Sequence, residues 1–285
     1  VITILNLWSK RSNRMLDFNI DTQKCTSCGH CAADCPARII SMTDGLPAIA
    51  PEKEASCYRC QHCLAICPTA ALSILGLKPE ASLPVAGVDP DQLELLIKER
   101  RSVRHYRDEN LEPALLQHLL EVAWYAPTGV NSRQVRFTVV DDRVKLAALR
   151  SQIMEGLGRL VREEALPEGL GFFADFVRLW EEKGVDTLFR GAPHFLVASA
   201  PQDTPCPLPD CLIALSYFEL FAQANGVGTV WDGLAKIAIE TLVPEARHAL
   251  GIPDDHLFGY AMAFGRPAIS YARTVQHGPA LIHRI

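Results

Sequence analysis

Eight cysteines fall into two runs of identical spacing: Cys25, Cys28, Cys31 and Cys35, followed by Pro36, and Cys57, Cys60, Cys63 and Cys67, followed by Pro68. Thiolate is a preferred ligand of clustered iron, and three cysteines two residues apart can take three corners of a cubane. The proline after the fourth cysteine fixes φ and turns that ligand away toward another cluster. Two such runs imply two [4Fe-4S] clusters with crossed ligation. Cys25, Cys28, Cys31 and Cys67 hold one; Cys57, Cys60, Cys63 and Cys35 hold the other. Zinc needs paired knuckles at longer separation, and it explains neither the third cysteine of each run nor the prolines.

On these motifs residues 17 to 76 resemble a bacterial two-cluster ferredoxin, a small duplicated fold in which each half contributes one run. A chain of 285 residues is too long for that fold alone, so a second domain of ordinary size must follow. The net charge of -5 carries no nucleic-acid footprint, leaving a small molecule or another protein as partner. No apolar run reaches the length of a membrane span. Iron ligation needs reduced thiols, which points to the cytoplasm and against disulfides. In the apolar opening from Val1 to Trp8, the basic residues Lys10, Arg11 and Arg14 come last, the reverse of a signal peptide. A natural ferredoxin strand starts at Met15, so residues 1 to 14 are expected to be non-native, with a basic docking arm as the alternative, and the N-terminal extension, disordered or non-native, is bounded at 1 to 16 ahead of the first domain.

The expected domains are 17 to 78 for the ferredoxin, 79 to 88 for a linker rich in Pro, Ala and Ser, and 89 to 285 for the second domain. Within the first, Phe18 to Ile20 reads as a strand, Ala37 to Met42 as a short helix or turn, and Leu46 to Ala50 as a strand. His30 and His62 occupy equivalent surface positions before the third cysteine of each run. In the second, Asp89 and Pro90 open a helix running to Arg104, followed by a helix from Pro113 to Tyr125 and a strand from Arg136 to Val140. A helix from Val144 to about Glu164 precedes an aromatic-rich segment, 166 to 191, read as a lid or interface, or as core. A strand from His194, a helix from Pro209 to Gly226, a tight connection from Gly228 to Leu234, two short helices and a strand from Leu257 to Gly265 complete an α+β domain.

The helix reading puts Arg100 and Arg104 at i and i+4 on one face, with Arg101 and Ser102 between them. Guanidinium forks match phosphate oxygens in bidentate fashion. Three further strings accompany them: Ala126 to Asn131, Gly226 to Gly233, and Phe264 to Pro267 ahead of Arg273. In that combination and order residues 89 to 273 resemble the nitroreductase family of FMN flavoproteins, and the whole chain resembles its ferredoxin-nitroreductase fusions. The resemblance implies a homodimer with FMN at the interface. It also implies Arg100, Arg101, Ser102, Arg104 and Arg273 at the phosphate and ribityl end. Pro127, Thr128, Gly129 and Asn131 would approach the flavin, the 127 to 129 turn coming from the neighbouring subunit, with Asp232 and Gly233 beside the N5 edge. Arg133 and Gln134 stand where relatives carry Gln-Pro; the extra cation would face the pyrimidine edge or solvent.

Gly226 and Gly228 lack the third glycine and the βαβ context of a dinucleotide fingerprint. Cys206 and Cys211 read as packing cysteines. The chemistry expected is FMN-dependent reduction of a nitroaromatic, quinone or other small conjugated acceptor, with electrons delivered by the two clusters from ferredoxin, a similar low-potential carrier or NAD(P)H. No catalytic side chain beyond the flavin is required. Reduction or consumption of free flavin on the same fold, and a non-catalytic electron-transfer module in a larger complex, are the rival expectations.

Overall fold

A computed structural model describes residues 16 to 285; the expectations for residues 1 to 15 lie outside them. The chain divides into two compact units. The first runs to Gly87 and takes in Gly129–Ser132; the second comprises Val88–Thr128 and Arg133–Ile285.

The first unit is built from two similar halves. Strand β1 (Asn19–Ile20) precedes the first cysteine run and pairs antiparallel with β4 (Leu72–Ser73), which follows the second. Each run carries a one-turn helix, α1 (His30–Ala33) or α2 (His62–Ala65), entered through a left-handed residue, Gly29 at φ 73 or Gln61 at φ 62. Between the halves, β2 (Ile40–Thr43) and β3 (Leu46–Ile49) form a hairpin, so the helix or turn expected over 37 to 42 is a strand in its second half. Asp44 and Gly45, at φ 50 and φ 81, supply the two left-handed positions of a tight hairpin turn, a local signal stronger than the short apolar run before it. Leu16, Ile39, Ile40, Leu64, Leu72 and Ile74 make the small core, so Leu16 is part of this unit rather than of an extension.

In the second unit β5 (Arg136–Val140), β6 (His194–Pro201), β8 (His256–Gly265) and β7 (Gly228–Trp231) form an antiparallel sheet in the order β5-β6-β8-β7. Strand β6 is buried on both faces. Its Phe195 and Val197 enter one core with α5 (Arg143–Arg162), α6 (Phe173–Lys183), α8 (Gly233–Ile237) and α9 (Pro244–Ala249). Leu196 and Ala198 enter the other, with α4 (Pro113–Ala123) and α7 (Pro207–Ala224). This is the period-two alternation of a strand between two helical layers, and the fold is α+β as expected. Phe173 and Phe189 are fully buried, so the aromatic segment from 166 to 191 contributes core.

Two expectations are corrected. Asp89 caps helix α3 (Pro90–Glu99) through Asp91 N, but the helix stops at Glu99, and Arg100, at φ -53 and ψ 128, is already non-helical. Beyond it the chain lies along β7: Val103 N donates to Thr229 O, and Ser102 bridges Thr229 in parallel. This pairing outcompetes the further helical turn, from Arg100 to Arg104, that the sequence favours. Residues 228 to 231 are therefore a strand rather than a connection. Gly228 allows the approach, since a Cβ there would sit 2.4 Å from Val103 Cγ2.

Candidate functional site

In the first unit the eight thiols sort into two cavities. Cys25, Cys28, Cys31 and Cys67 line one, along with Ile20, Met42 and Leu72. Cys35, Cys57, Cys60 and Cys63 line the other, along with Ile39, Ile40 and Ile74. Each cavity thus takes three cysteines from one run and the fourth from the other run, the crossed grouping that the spacing implies. Four thiols facing an apolar-walled space fit a cubane, whose sulfides need bulk as well as ligands. Backbone amides reach the sulfurs: Arg59 N donates to Cys57 Sγ at 3.3 Å and Ala71 N to Cys67 Sγ at 3.2 Å. Burial pushes the Cys63 thiol up to about 12, so a bound cation's field would have to stabilise its thiolate. Burial also raises Cys67, but the N–H groups of Ala71, Thr69 and Leu72, with the Thr69 hydroxyl, outweigh it and leave its thiol below the usual value. His62 Nδ1 lies 3.2 Å from Asp34 Oδ2 at the surface.

In the second unit the arginine string is not one cationic face. Arg100 Nη1 meets Glu219 Oε1 at 3.1 Å, and the same carboxylate accepts from Thr229 Oγ1 at 3.1 Å and Trp231 Nε1 at 3.0 Å. Arg100 is therefore paired through Nη1 with a buried carboxylate. Arg104 Nη1 folds onto Ser102 O at 3.3 Å, and Ser102 O also meets Tyr271 Oη at 3.5 Å. Arg101 and Arg273 instead share a cavity of about 460 Å³ with Gln223, Ser270, Tyr271 and Thr274. Arg101 Nη2 donates to Lys98 O, while its Nε is buried with no partner. Leu95, Val103, Pro267, Ile269 and the carboxylate of Glu99 also line the cavity, so this cleft offers two guanidinium groups beside an apolar wall and one acidic group, a mixed surface that suits a ligand carrying both a phosphate and a flat apolar part, as FMN does.

Asp232 sits at the end of β7 and is buried, with Oδ1 accepting from Ala235 N at 2.9 Å and Oδ2 unpartnered. Burial, helped by the negative charge of Asp186 and opposed by Arg190 and by the Ala235 N–H, pushes its carboxyl up to about 7. Gly233 follows it against Tyr260, whose hydroxyl a Cβ at 233 would meet at 2.7 Å. Thr128 and Arg133 close the stem of the loop after α4: Arg133 N donates to Thr128 Oγ1 at 3.0 Å. The Arg133 guanidinium donates to Ala126 O at 3.2 Å and lies 4.8 Å from the Trp124 ring centre. Pro127 belongs to that stem. Gly129 and Asn131 group with the first unit, where Asn131 Nδ2 donates to Tyr58 O at 2.9 Å and Arg59 O at 3.1 Å. Asn131 thus reaches the second cysteine run through its amide group. Cys211 is buried in the core.

Sequence reading missed Glu219, Gln223 and Tyr271. Glu219 left a usable trace: one carboxylate amid the apolar stretch from Leu212 to Ala222 must have buried donors waiting for it.

Residues 97–266 match the nitroreductase family. The chain belongs to that family. Residues 24–72 match the 4Fe-4S dicluster domain, so this nitroreductase carries an iron-sulfur ferredoxin domain ahead of its catalytic fold. It is 27% identical over 196 residues to nitroreductase NfnB of Mycolicibacterium smegmatis, covering 59% of this chain and 82% of that protein. Among solved structures, a nitroreductase with bound FMN from Desulfitobacterium hafniense is 26% identical, with a TM-score of 0.52, covering 67% of this chain and 98% of that one. A second with bound FMN, from Bacteroides fragilis, has a TM-score of 0.54 over 68% of this chain and 99% of its own, at 24% identity, a likeness of fold. Among the described residues no helix is long and apolar enough to cross a membrane.

Proposed function

We propose that this nitroreductase is an FMN-dependent oxidoreductase fed by its own two [4Fe-4S] clusters, reducing a nitroaromatic, quinone or other small conjugated acceptor. The observation that carries the reading is the presence in one chain of two four-thiol cavities and of a nitroreductase fold with an arginine-lined cleft. When bound, FMN supplies the two-electron chemistry and the clusters supply one-electron steps. The protein's part is to bind and orient. Arg101 and Arg273 hold the phosphate, while Arg100, through Glu219, fixes the strand-like arm that carries Arg101. Asp232 and Gly233, just after β7, would lie beside the reactive edge of the ring system, and burial raises the Asp232 carboxyl to about 7, so that it is in part protonated near neutral pH. No other side chain is required for the chemistry.

Hydride from NAD(P)H reaches a flavin without clusters, so the attached ferredoxin domain argues for a donor that gives one electron at a time, a reduced ferredoxin or a similar low-potential carrier. A homodimer in the cytoplasm completes the proposal. Stopped-flow bleaching of the flavin tests it in the wild type and in Cys25→Ser and Cys57→Ser variants. Ferredoxin should reduce wild-type FMN and fail with the variants, whose FMN stays bound and reducible by dithionite. Rapid reduction by NADH in all three proteins, with no response to ferredoxin in any, would refute the cluster route.

A further inference from the structure

The loop between α4 and β5 adopts an unfavourable backbone to deliver one side chain. Val130, Asn131 and Arg133 have φ of 46, 54 and 53. Left-handed geometry is tolerable for asparagine and rare for β-branched valine, so a feature elsewhere must compensate. The stem is tied by the Thr128 hydroxyl and by Arg133 on Ala126 O and Trp124. At the tip, Asn131 Nδ2 donates to both Tyr58 O and Arg59 O, the carbonyls of the two residues between Cys57 and Cys60. That turn is itself left-handed at Arg59, φ 54, and directs Arg59 N onto Cys57 Sγ at 3.3 Å. The equivalent turn of the first run is left-handed at Ser27, φ 57, yet among the described residues no side chain donates to the Thr26 or Ser27 carbonyls.

We propose that Asn131 is a positioning residue for one iron-sulfur cluster only, that of Cys35, Cys57, Cys60 and Cys63. By fixing the peptide planes of Tyr58 and Arg59 it keeps the Arg59 N–H on the Cys57 sulfur. Hydrogen bonds to cluster sulfurs favour the more negative, reduced cluster and so raise its potential, and they also shield the site from loss of iron. The two clusters of this chain, equivalent by motif, are thereby made unequal: only the clamped one has its sulfur hydrogen bond, and with it part of its potential and its hold on iron, set by the loop between α4 and β5. This inference rests on the two-cluster reading above.

The test uses the full chain, purified anaerobically, as wild type, Asn131→Asp and Asn131→Gly. Both replacements tolerate a left-handed backbone, and neither can donate as the amide does. Iron, labile sulfide and zinc are counted first, then iron release to a chelator is followed and each cluster's potential is read by EPR redox titration. Wild type should hold about eight irons. In both variants one of two release phases should accelerate about tenfold, the consequence of losing two neutral hydrogen bonds, and one of two midpoint potentials should fall. The other phase and potential should stay put. Equal changes in both clusters, or none in either, would overturn the clamp while leaving the two-cluster reading intact. Zinc in place of iron and sulfide in the wild type would overturn that reading and the inference with it.

Discussion

Replacing Glu219 with alanine removes a single acceptor group from three donors at once. Arg100, Thr229 and Trp231 all converge on its carboxylate at 3.0 to 3.1 Å. The Glu219 side chain is 9% exposed, so its donors cannot all turn to water, whereas Arg100 at 28% can do so in part. A buried neutral donor left unsatisfied costs about 1 to 3 kcal/mol, and breaking a buried ion pair costs about 3 to 5 kcal/mol. With Arg100 partly hydrated, the lower end applies, and the expected loss is about 3 to 4 kcal/mol. Because Thr229 also holds Val103, the damage should reach the arm that carries Arg101, and FMN affinity should fall together with stability. Urea unfolding of the apoprotein followed by far-ultraviolet circular dichroism, with flavin titration beside it, measures both. Glu219→Gln keeps an acceptor and should lose less, and a double-mutant cycle with Arg100→Gln should show coupling of about 1 to 3 kcal/mol. A loss below about 0.5 kcal/mol for Glu219→Ala, within the range of an ordinary surface change, would show that the carboxylate is not the anchor of this region.

Arg101→Gln and Arg273→Gln should each weaken FMN by about 1.5 to 3 kcal/mol, the worth of a charge-assisted contact, and leave riboflavin affinity nearly unchanged. The ratio of the two flavin affinities, read by fluorescence quenching, should move less in Arg100→Gln, which acts only through the arm, than in either of these. Gly228→Ala should cost about 1 to 3 kcal/mol by overpacking, because its Cβ falls on Val103, and a melting curve of the apoprotein checks it. Asp232 carries a raised folded pKa, so its contribution to stability is full below the unfolded value near 3.9 and is lost as pH rises through about 7. Asp232→Asn removes that loss: the variant should gain on wild type by roughly 1.4 kcal/mol per pH unit between about pH 4 and 7, with no further change above. Parallel stability profiles across that window would refute a buried, proton-holding carboxyl.

The crossed grouping of the eight cysteines in two cavities was legible because residue type, spacing and the proline after each run together imply it. Long elements such as α5 and α7 were legible for their length and apolar periodicity, and β6 for its continuous apolar run. The arginine arm was not. Its residues favour helix locally, and only β7, more than a hundred positions later, offers the Thr229 carbonyl that draws Val103 into an extended course. Likewise β7 is four residues long with a glycine at its head, too short to register as a strand without its partner β8. The contacts of Asn131 were not legible either, because the carbonyls beside Cys57 that accept from it lie more than seventy positions earlier, outside the motif in which it stands.

The exchange of fourth cysteines also decides how the small domain comes into being. A filled first cavity ties position 25 to position 67, and a filled second ties position 35 to position 57, so one closed loop lies inside the other. Metal-sulfur bonds then act as cross-links that strip conformational freedom from the unfolded chain, in a domain whose apolar core is only a handful of side chains. Closing the inner loop first shortens the free span the outer loop must search, so assembly should be sequential and cooperative. Loss of the inner cluster should correspondingly lengthen the free span the outer loop must search, so the two clusters depend on each other in re-assembly, while each one's release follows its own sulfur contacts.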